Sequence, residues 1–210
     1  MMEVVDNIKL YLPQYLSDKE RSRLREELAQ FPMDGTKDTV YTSALQDADY
    51  LLQGDGIGMV PYLNFPDLTI KKVSVLLMSN TCDMSTENKR MNDSRIMYSP
   101  IIRLDKYVQL LKRNFPEERV ANHLKDIRAQ YVSQILYLPK GGKLDYEGIV
   151  FFDRSISLPL DEKRVKEMCE HKLFTLSNFG FYLYLLKLSI HFTRIQEKID
   201  RTTGNDLGKM

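Results

Sequence analysis

The sequence predicts an α+β protein in which a small antiparallel β-barrel or sandwich is flanked by helical segments. Between residues 50 and 160, short apolar and β-branched runs alternate with turn residues, which is typical of strands joined by turns. On either side, apolar residues recur at spacings of three and four, as in amphipathic helices. The chain has 210 residues, of which 43% are hydrophobic, so it can bury a core and is not of the disordered class. Its formal net charge of +1 argues against a protein that coats DNA by bulk charge and leaves local basic patches open.

Residues 1–49 are predicted to form an N-terminal helical segment. A capping box begins at Ser17, because a Glu follows three residues later, and an apolar stripe then runs over residues 24–31. Pro32 ends this helix. Residues 42–50 are a second short helix or a loop.

Residues 50–160 are predicted to contain five or six short strands, with few helices between them. The runs are Leu51–Gln53, Ile57–Tyr62, Val73–Met78, Ile96–Ile102, Ile135–Leu138 and Ile149–Ile156. Gly and Pro bound most of them, which indicates turns and an antiparallel arrangement.

Residues 104–130 are expected to interrupt these strands as a helical insertion. Pro116 and the two acidic residues after it suit the first turn of a helix. Val120, Leu124 and Ile127 would form the buried stripe of that helix.

Residues 161–210 are predicted to form C-terminal helices. One begins at Asp161, and a second runs from after Ser177 to Asp200. The second carries an apolar seam at heptad-like spacing, formed by Phe181, Leu185, Leu188, Phe192, Ile195 and Ile199. This seam is either a core face or a surface for self-association or for a partner protein.

The sequence also predicts the cellular setting. Two cysteines are too few for a disulfide framework, which indicates a reducing compartment. The first twelve residues include the acidic Glu3 and Asp6 and have no positively charged region ahead of an apolar run, unlike a signal peptide. The most apolar stretch, 179–192, is shorter than a membrane span. We therefore expect a cytoplasmic protein without membrane contact. Cys169 and His171 do not bring the paired ligands of a zinc site, so neither a metal nor a cofactor is expected.

Three segments together resemble the opening strands of the MazF/PemK toxin family. They are Gln53-Gly54-Asp55-Gly56-Ile57, Lys71-Lys72-Val73-Ser74-Val75-Leu76-Leu77-Met78-Ser79 and Ile96-Met97-Tyr98-Ser99-Pro100-Ile101. The resemblance implies a compact SH3-like barrel with attached helices. It also implies a bacterial endoribonuclease that acts without the ribosome and is neutralised by a partner antitoxin.

The chain departs from this family at the positions that carry catalysis. The family has an Arg-Pro pair entering the second strand, where this chain has Lys72-Val73, and a hydroxyl after the third-strand Pro, where this chain has Ile101. If cleavage survives, the candidate catalytic residues are Lys72, Ser79 and Asp83. The hypothesis that the sequence favours is instead a barrel whose catalytic residues are altered and which binds RNA or a partner protein.

The second strand ends in Ser79-Asn80-Thr81-Cys82-Asp83, which resembles a Ser-x-x-Cys-Asp pattern of uncharacterised bacterial barrel proteins from toxin–antitoxin or anti-phage operons. Cys82 is a nucleophile candidate, with Asp83 as orienting carboxylate or base. The alternative is a small residue at a strand end followed by a turn cap.

Two basic regions are candidate RNA-binding surfaces. The first is the loop that contains Lys89, Arg90 and Arg95. The second is the insertion, in which Arg119, Arg128 and the neighbouring Tyr131 would combine phosphate contacts with base stacking on single-stranded RNA. Solvated surface is the alternative for both, because acidic residues are interspersed.

Three functions follow from these patterns. The first is a defence or toxin–antitoxin protein that binds RNA, or a partner protein such as an antitoxin or effector subunit. The second is an active endoribonuclease that cleaves single-stranded RNA. The third is a structural subunit of a larger anti-phage complex, held together by the C-terminal seam as a homo-oligomer or with an effector.

Overall fold

A computed structural model describes residues 40–64, 66–85, 87–88 and 91–193. Its strands are β1 (Tyr41–Thr42), β2 (Gly56–Asn64), β3 (Thr69–Leu77), β4 (Arg95–Arg103), β5 (Ile135–Leu138), β6 (Gly148–Phe151), β7 (Ile156–Pro159) and β8 (Lys172–Leu176). Its helices are α1 (Thr81–Met84), α2 (Leu104–Lys112), α3 (Glu117–Arg128), α4 (Glu162–Glu170) and α5 (Asn178–Thr193). The helix expected over 24–31 and the extension of the last helix to Asp200 lie outside the described residues.

The strands form one antiparallel sheet, which confirms the α+β class. The sheet order is β1-β8-β2-β3-β4-β6-β5, and β7 pairs with β4. One edge of β4 is shared, because its first half pairs with β7 and its second half pairs with β6. The predicted insertion is confirmed as the helical pair α2 and α3, which lies between β4 and β5.

The sheet is open but strongly curled. Its two edges, β1 and β5, approach each other without forming a ladder. Instead, the Tyr41 hydroxyl donates to the carbonyl of Pro139 at 2.6 Å, just after β5. The amide of Lys143 donates to the carbonyl of Leu173 in β8 at 2.7 Å. Side-chain and loop contacts therefore hold the edges together where a closed barrel would use strand pairing.

One prediction for the C-terminal region needs correction. The sequence predicts C-terminal helices over residues 161–210 and does not anticipate a strand there, but β8 (Lys172–Leu176) lies between α4 and α5 and inserts between β1 and β2 in the sheet. The run Leu51–Gln53 is not a strand and instead leads into the turn before β2. The helices predicted from Asp161 and after Ser177 are confirmed as α4 and α5.

The turn before β2 is held by a buried ion pair. Gly54 adopts φ +88°, a conformation that favours glycine. The turn places Asp55, 0% exposed, 3.2 Å from Nζ of Lys172, which is 1% exposed. The same Nζ donates to the carbonyls of Ala48 and Tyr50 at 3.3 and 3.0 Å. Burial raises the pKa of the Asp55 carboxyl, and the Lys172 ammonium opposes that rise.

Three apolar clusters fill the interior. The largest packs α5 against β5, β6 and β8, the second lies between α4 and strands β2 to β4, and the third lies beneath the insertion. In the largest, α5 also buries Lys187, whose Nζ donates to the carbonyls of Gln130 and Val132 at 2.7 and 2.9 Å. Burial lowers the pKa of Lys187 to about 7. Within the described part of the chain, no helix has the length and apolar character needed to cross a bilayer.

Candidate functional site: a basic groove between β2 and α4

A groove of about 430 Å³ separates the middle of β2 from the exposed face of α4. It brings together residues that are far apart in the chain. The lining residues are Gly58, Met59, Val60, Pro61, Lys72, Leu158, Arg164, Glu167, Met168 and His171. Lys72, from β3, is the one predicted catalytic residue that lines it.

The β2 wall of the groove is irregular. The β2–β3 register shifts between Ile57 and Val60, so a bulge interrupts the ladder at this point. Met59, in the bulge, has φ +59°, a left-handed conformation that costs a non-glycine residue free energy. The amide of Gly58 is released from the ladder and donates to the carbonyl of His171 at 2.8 Å. The bulge thus joins β2 to the end of α4 and fixes the width of the groove.

The α4 wall supplies three charged or titratable side chains. Asp161 caps the helix by accepting from the amide of Arg164 at 2.7 Å, which fixes where the helix begins. Arg164, Glu167 and His171 follow at spacings of three and four, so they lie along one face. The Arg164 guanidinium also donates to the carbonyl of Pro159. Met168, on the same side, is buried in the cluster beneath and anchors that face.

The groove is predominantly basic and carries groups for acid–base chemistry. Lys72, Arg164 and His171 line it together with one carboxylate, Glu167. The Arg164 guanidinium is a fixed cation suited to phosphate oxygens, and Lys72 adds a mobile one. Glu167 and His171 are exposed, and carboxylate and imidazole are the side-chain groups that most often act as general acids and bases. This combination suits binding of a phosphodiester and transfer of protons at its ester oxygens.

The structure does not bring the three predicted catalytic residues together. Lys72 lies near the start of β3, whereas Ser79 follows the end of the same strand, about 23 Å along the strand axis. Asp83 lies in α1, just beyond Ser79. Lys72 therefore belongs to a different part of the surface from Ser79 and Asp83, and the three do not form one site.

The Ser79–Asp83 segment connects strands and turns. The Ser79 hydroxyl accepts from the amide of Met97 at 2.8 Å and thereby holds the end of β3 to β4. The Thr81 hydroxyl accepts from the amide of Gln53 at 3.0 Å, which ties the segment to the turn before β2. Cys82 is exposed, and its amide donates to the Asn80 side chain, which caps α1. Two of the segments that carry the resemblance are thus bonded to each other.

The predicted RNA-binding residues have different surroundings. Arg95 donates to the Ser157 hydroxyl and carbonyl at 2.9 and 3.0 Å. Arg128 forms a two-pronged pair with Glu147, with both bonds at 2.9 Å. Arg119 lies over the ring of Phe115. Tyr131 is 66% exposed, and Lys89 and Arg90 lie outside the described residues.

Sequence reasoning missed Arg164, Glu167 and His171 as site residues. They stand about ninety residues after Lys72 on a helix whose polar face looks like ordinary solvated surface. His171 enters the sequence analysis as a possible metal ligand beside Cys169. The spacing of Arg164, Glu167 and His171 on one helix face was the available signal.

Two comparisons of the chain with known proteins found no match. No protein-family model matches it. No curated protein matches it either.

Proposed function

We propose that this protein is an RNA-binding endoribonuclease whose active site is the groove between β2 and α4. The observation that carries the proposal is the gathering of Lys72, Arg164, Glu167 and His171 in one groove. The curled open sheet would then be a divergent form of the SH3-like barrel of MazF/PemK toxins. In this interpretation the catalytic residues are altered, as the sequence indicates, and α4 supplies replacements.

The proposed reaction is attack of an RNA 2′-hydroxyl on the adjacent phosphorus. Glu167 takes the 2′-hydroxyl proton as the new P–O bond forms, and His171 gives a proton to the departing 5′-oxygen as the old P–O bond breaks. Lys72 and Arg164 stabilise the negative charge that builds on the non-bridging oxygens. The products are a 2′,3′-cyclic phosphate and a free 5′-hydroxyl, so atoms and charges balance without another reactant.

The setting of the protein is part of the same proposal. A nuclease of this kind damages its own cell unless it is restrained, so we infer a partner protein that covers the groove, in a toxin–antitoxin or anti-phage system. The groove's three basic side chains favour a partner with an acidic segment. A cytoplasmic location follows from an RNA substrate.

A second candidate function, the structural subunit, is favoured by one observation on α5. Phe181, Leu185 and Leu188 are only partly buried, and Phe192 is exposed, so the predicted seam is not fully covered by the described residues. Self-association along this helix is compatible with cleavage at the groove. The size of the purified protein in solution tests it, because a monomer would contradict it.

Cleavage of a 5′-labelled single-stranded RNA tests the main proposal. Glu167→Gln and His171→Ala are each expected to lower the rate about 10²- to 10⁴-fold, the usual contribution of one acid or base. Lys72→Ala is expected to lower it as well. Lys71→Ala is the matched control, because neighbouring residues on a strand point to opposite faces. Ser79→Ala is expected to cleave normally.

Two substrate controls sharpen the experiment. An oligonucleotide of the same sequence with deoxyribose at every position should remain intact, because it lacks the attacking hydroxyl. The RNA product should carry a cyclic phosphate and should form in the presence of EDTA. Intact RNA across pH 5–9 with the unmodified protein, or full activity in both His171→Ala and Glu167→Gln, would refute the assignment.

A further inference from the structure

Aromatic rings and arginines form a continuous row from the insertion to the sheet. Arg119 lies 5.1 Å from the ring centre of Phe115, at the junction of α2 and α3. In the cleft beside them, the Tyr107 hydroxyl and Nε2 of His123 are 3.2 Å apart. Tyr107 then meets Phe151 edge-on, with ring centres 5.7 Å apart.

The row continues from Phe151 to the groove. The guanidinium of Arg154 lies 4.3 Å from the ring centre of Phe151. The hydroxyl of Tyr62 donates to the carbonyl of Arg154 at 3.3 Å. Tyr62 is the neighbour in β2 of Pro61, which lines the basic groove. The two pairs at the insertion end line the same cleft, and the remaining steps are contacts or chain neighbours, so the row runs from the cleft to the edge of the groove.

The rings in this row are accessible in part. Phe115 is 42% exposed, and Tyr62, Tyr107 and Phe151 are half-buried. The cleft at the insertion end has a volume of about 260 Å³ and is lined by Tyr107, Leu111, Phe115, Arg119, Val120 and His123. Arg119 and Arg154 are exposed. Flat apolar rings flanked by cations are the arrangement that binds single strands, in which bases stack and phosphates lie beside the cations.

We propose that this row, which we call the stacking track, holds a single-stranded RNA whose next phosphodiester lies in the groove. The proposal rests on the proposed function, and it adds where the substrate strand lies and which side chains hold its bases. The bases of a duplex face each other and cannot stack on Phe115 or Tyr107, so the track selects single strands. Arg119 and Arg154 face phosphates on either side of the stacked bases. Arg128 is not part of the track, because its guanidinium is paired with the Glu147 carboxylate.

Binding of octamers that cannot be cleaved tests the track separately from the groove. The probes are a fluorescein-labelled 2′-O-methyl adenosine octamer, the same backbone with abasic residues, and the adenosine octamer annealed to its complement. Stacking on one ring contributes about 5- to 150-fold in affinity, from about 1–3 kcal/mol per base. We therefore expect Phe115→Ala to weaken binding of the single-stranded adenosine octamer by that factor, as read by anisotropy.

Matched variants separate stacking from a change in fold. Phe115→Tyr keeps a ring and should bind within about twofold of the unmodified protein. Leu110→Ala, an exposed apolar truncation on α2 a few residues before Phe115, should bind normally. The abasic octamer should bind equally well to Phe115→Ala and to the unmodified protein. Arg154→Gln should weaken both octamers, because the phosphate contact does not depend on bases.

The outcomes decide the track and the proposed function independently. Equal affinity of Phe115→Ala and the unmodified protein for the adenosine octamer would overturn the track, even if the groove cleaves a dinucleotide. Equal affinity of the unmodified protein for single and double strands would overturn it as well. Failure to cleave a dinucleotide would refute the nuclease, whereas a ring-dependent loss of octamer binding would still support the track.

Discussion

The buried Lys187 makes a specific prediction about stability and pH. Its pKa is about 7 in the folded protein and 10.5 as the ordinary value of a lysine. Between these two pH values the unfolded chain binds a proton that the folded chain does not, so stability rises with pH. Over pH 7.5–9.5 this difference amounts to about 2.5 kcal/mol, because a full pH unit corresponds to about 1.4 kcal/mol.

Urea unfolding followed by circular dichroism at several pH values measures this effect. The free energy of unfolding of the unmodified protein should rise across the window, whereas that of Lys187→Met should lack the contribution of about 2.5 kcal/mol. Lys187→Met also removes the Nζ donor from the carbonyls of Gln130 and Val132, of which Val132 keeps the amide of Ile135, so only its pH slope is used.

A control accounts for every other group that titrates in this range. Lys166→Met makes the same change at an exposed position on α4 and should keep the slope of the unmodified protein. Lys187→Gln provides a second variant should Lys187→Met fail to fold. Parallel pH profiles for the unmodified protein and for either Lys187 variant would show that the lysine stays charged in the fold and would refute the reasoning.

Two further predictions concern the turn before β2 and the bulge in the groove. Lys172→Met leaves the Asp55 carboxyl buried without its cation. The free energy of unfolding, measured by urea titration, should fall by about 3–5 kcal/mol. A loss below about 1 kcal/mol would contradict the buried pair. Met59 is exposed and has a left-handed backbone, which glycine adopts without strain. Met59→Gly should therefore raise the free energy of unfolding by about 1 kcal/mol, seen as a higher midpoint of thermal unfolding. An unchanged or lower midpoint would show that the bulge is not strained.

The parts of the fold that the sequence predicts are those with local causes. The runs that became β2, β3 and β4 are apolar or β-branched and end at Gly, Pro or polar turns, and local propensity is enough to identify them. The insertion begins its second helix after Pro116, which fixes the boundary in advance. In both cases the signal lies within a few residues of the structure that it determines.

The parts that sequence reasoning missed depend on distant residues. β8 begins with Lys172, which looks like a solvated residue until Asp55 is placed beside it. The groove is also a long-range feature, because Lys72 and Arg164 meet only when α4 packs across β2. Neither pairing can be inferred from the hydrophobic or charge pattern of the neighbouring sequence. The pairing of Arg128 with Glu147 is likewise a contact between distant residues that the local charge pattern does not indicate.

The position of β8 in the sheet determines when the sheet can be completed during synthesis. β8 joins β1 to β2, so the first strand of the sheet has no partner until residues 172–176 have left the ribosome. At about 5–20 residues per second, that delay after β1 is roughly 6–26 seconds. Arg164 and His171 emerge in the same late part of the chain, so the groove between β2 and α4 is also complete only after that interval.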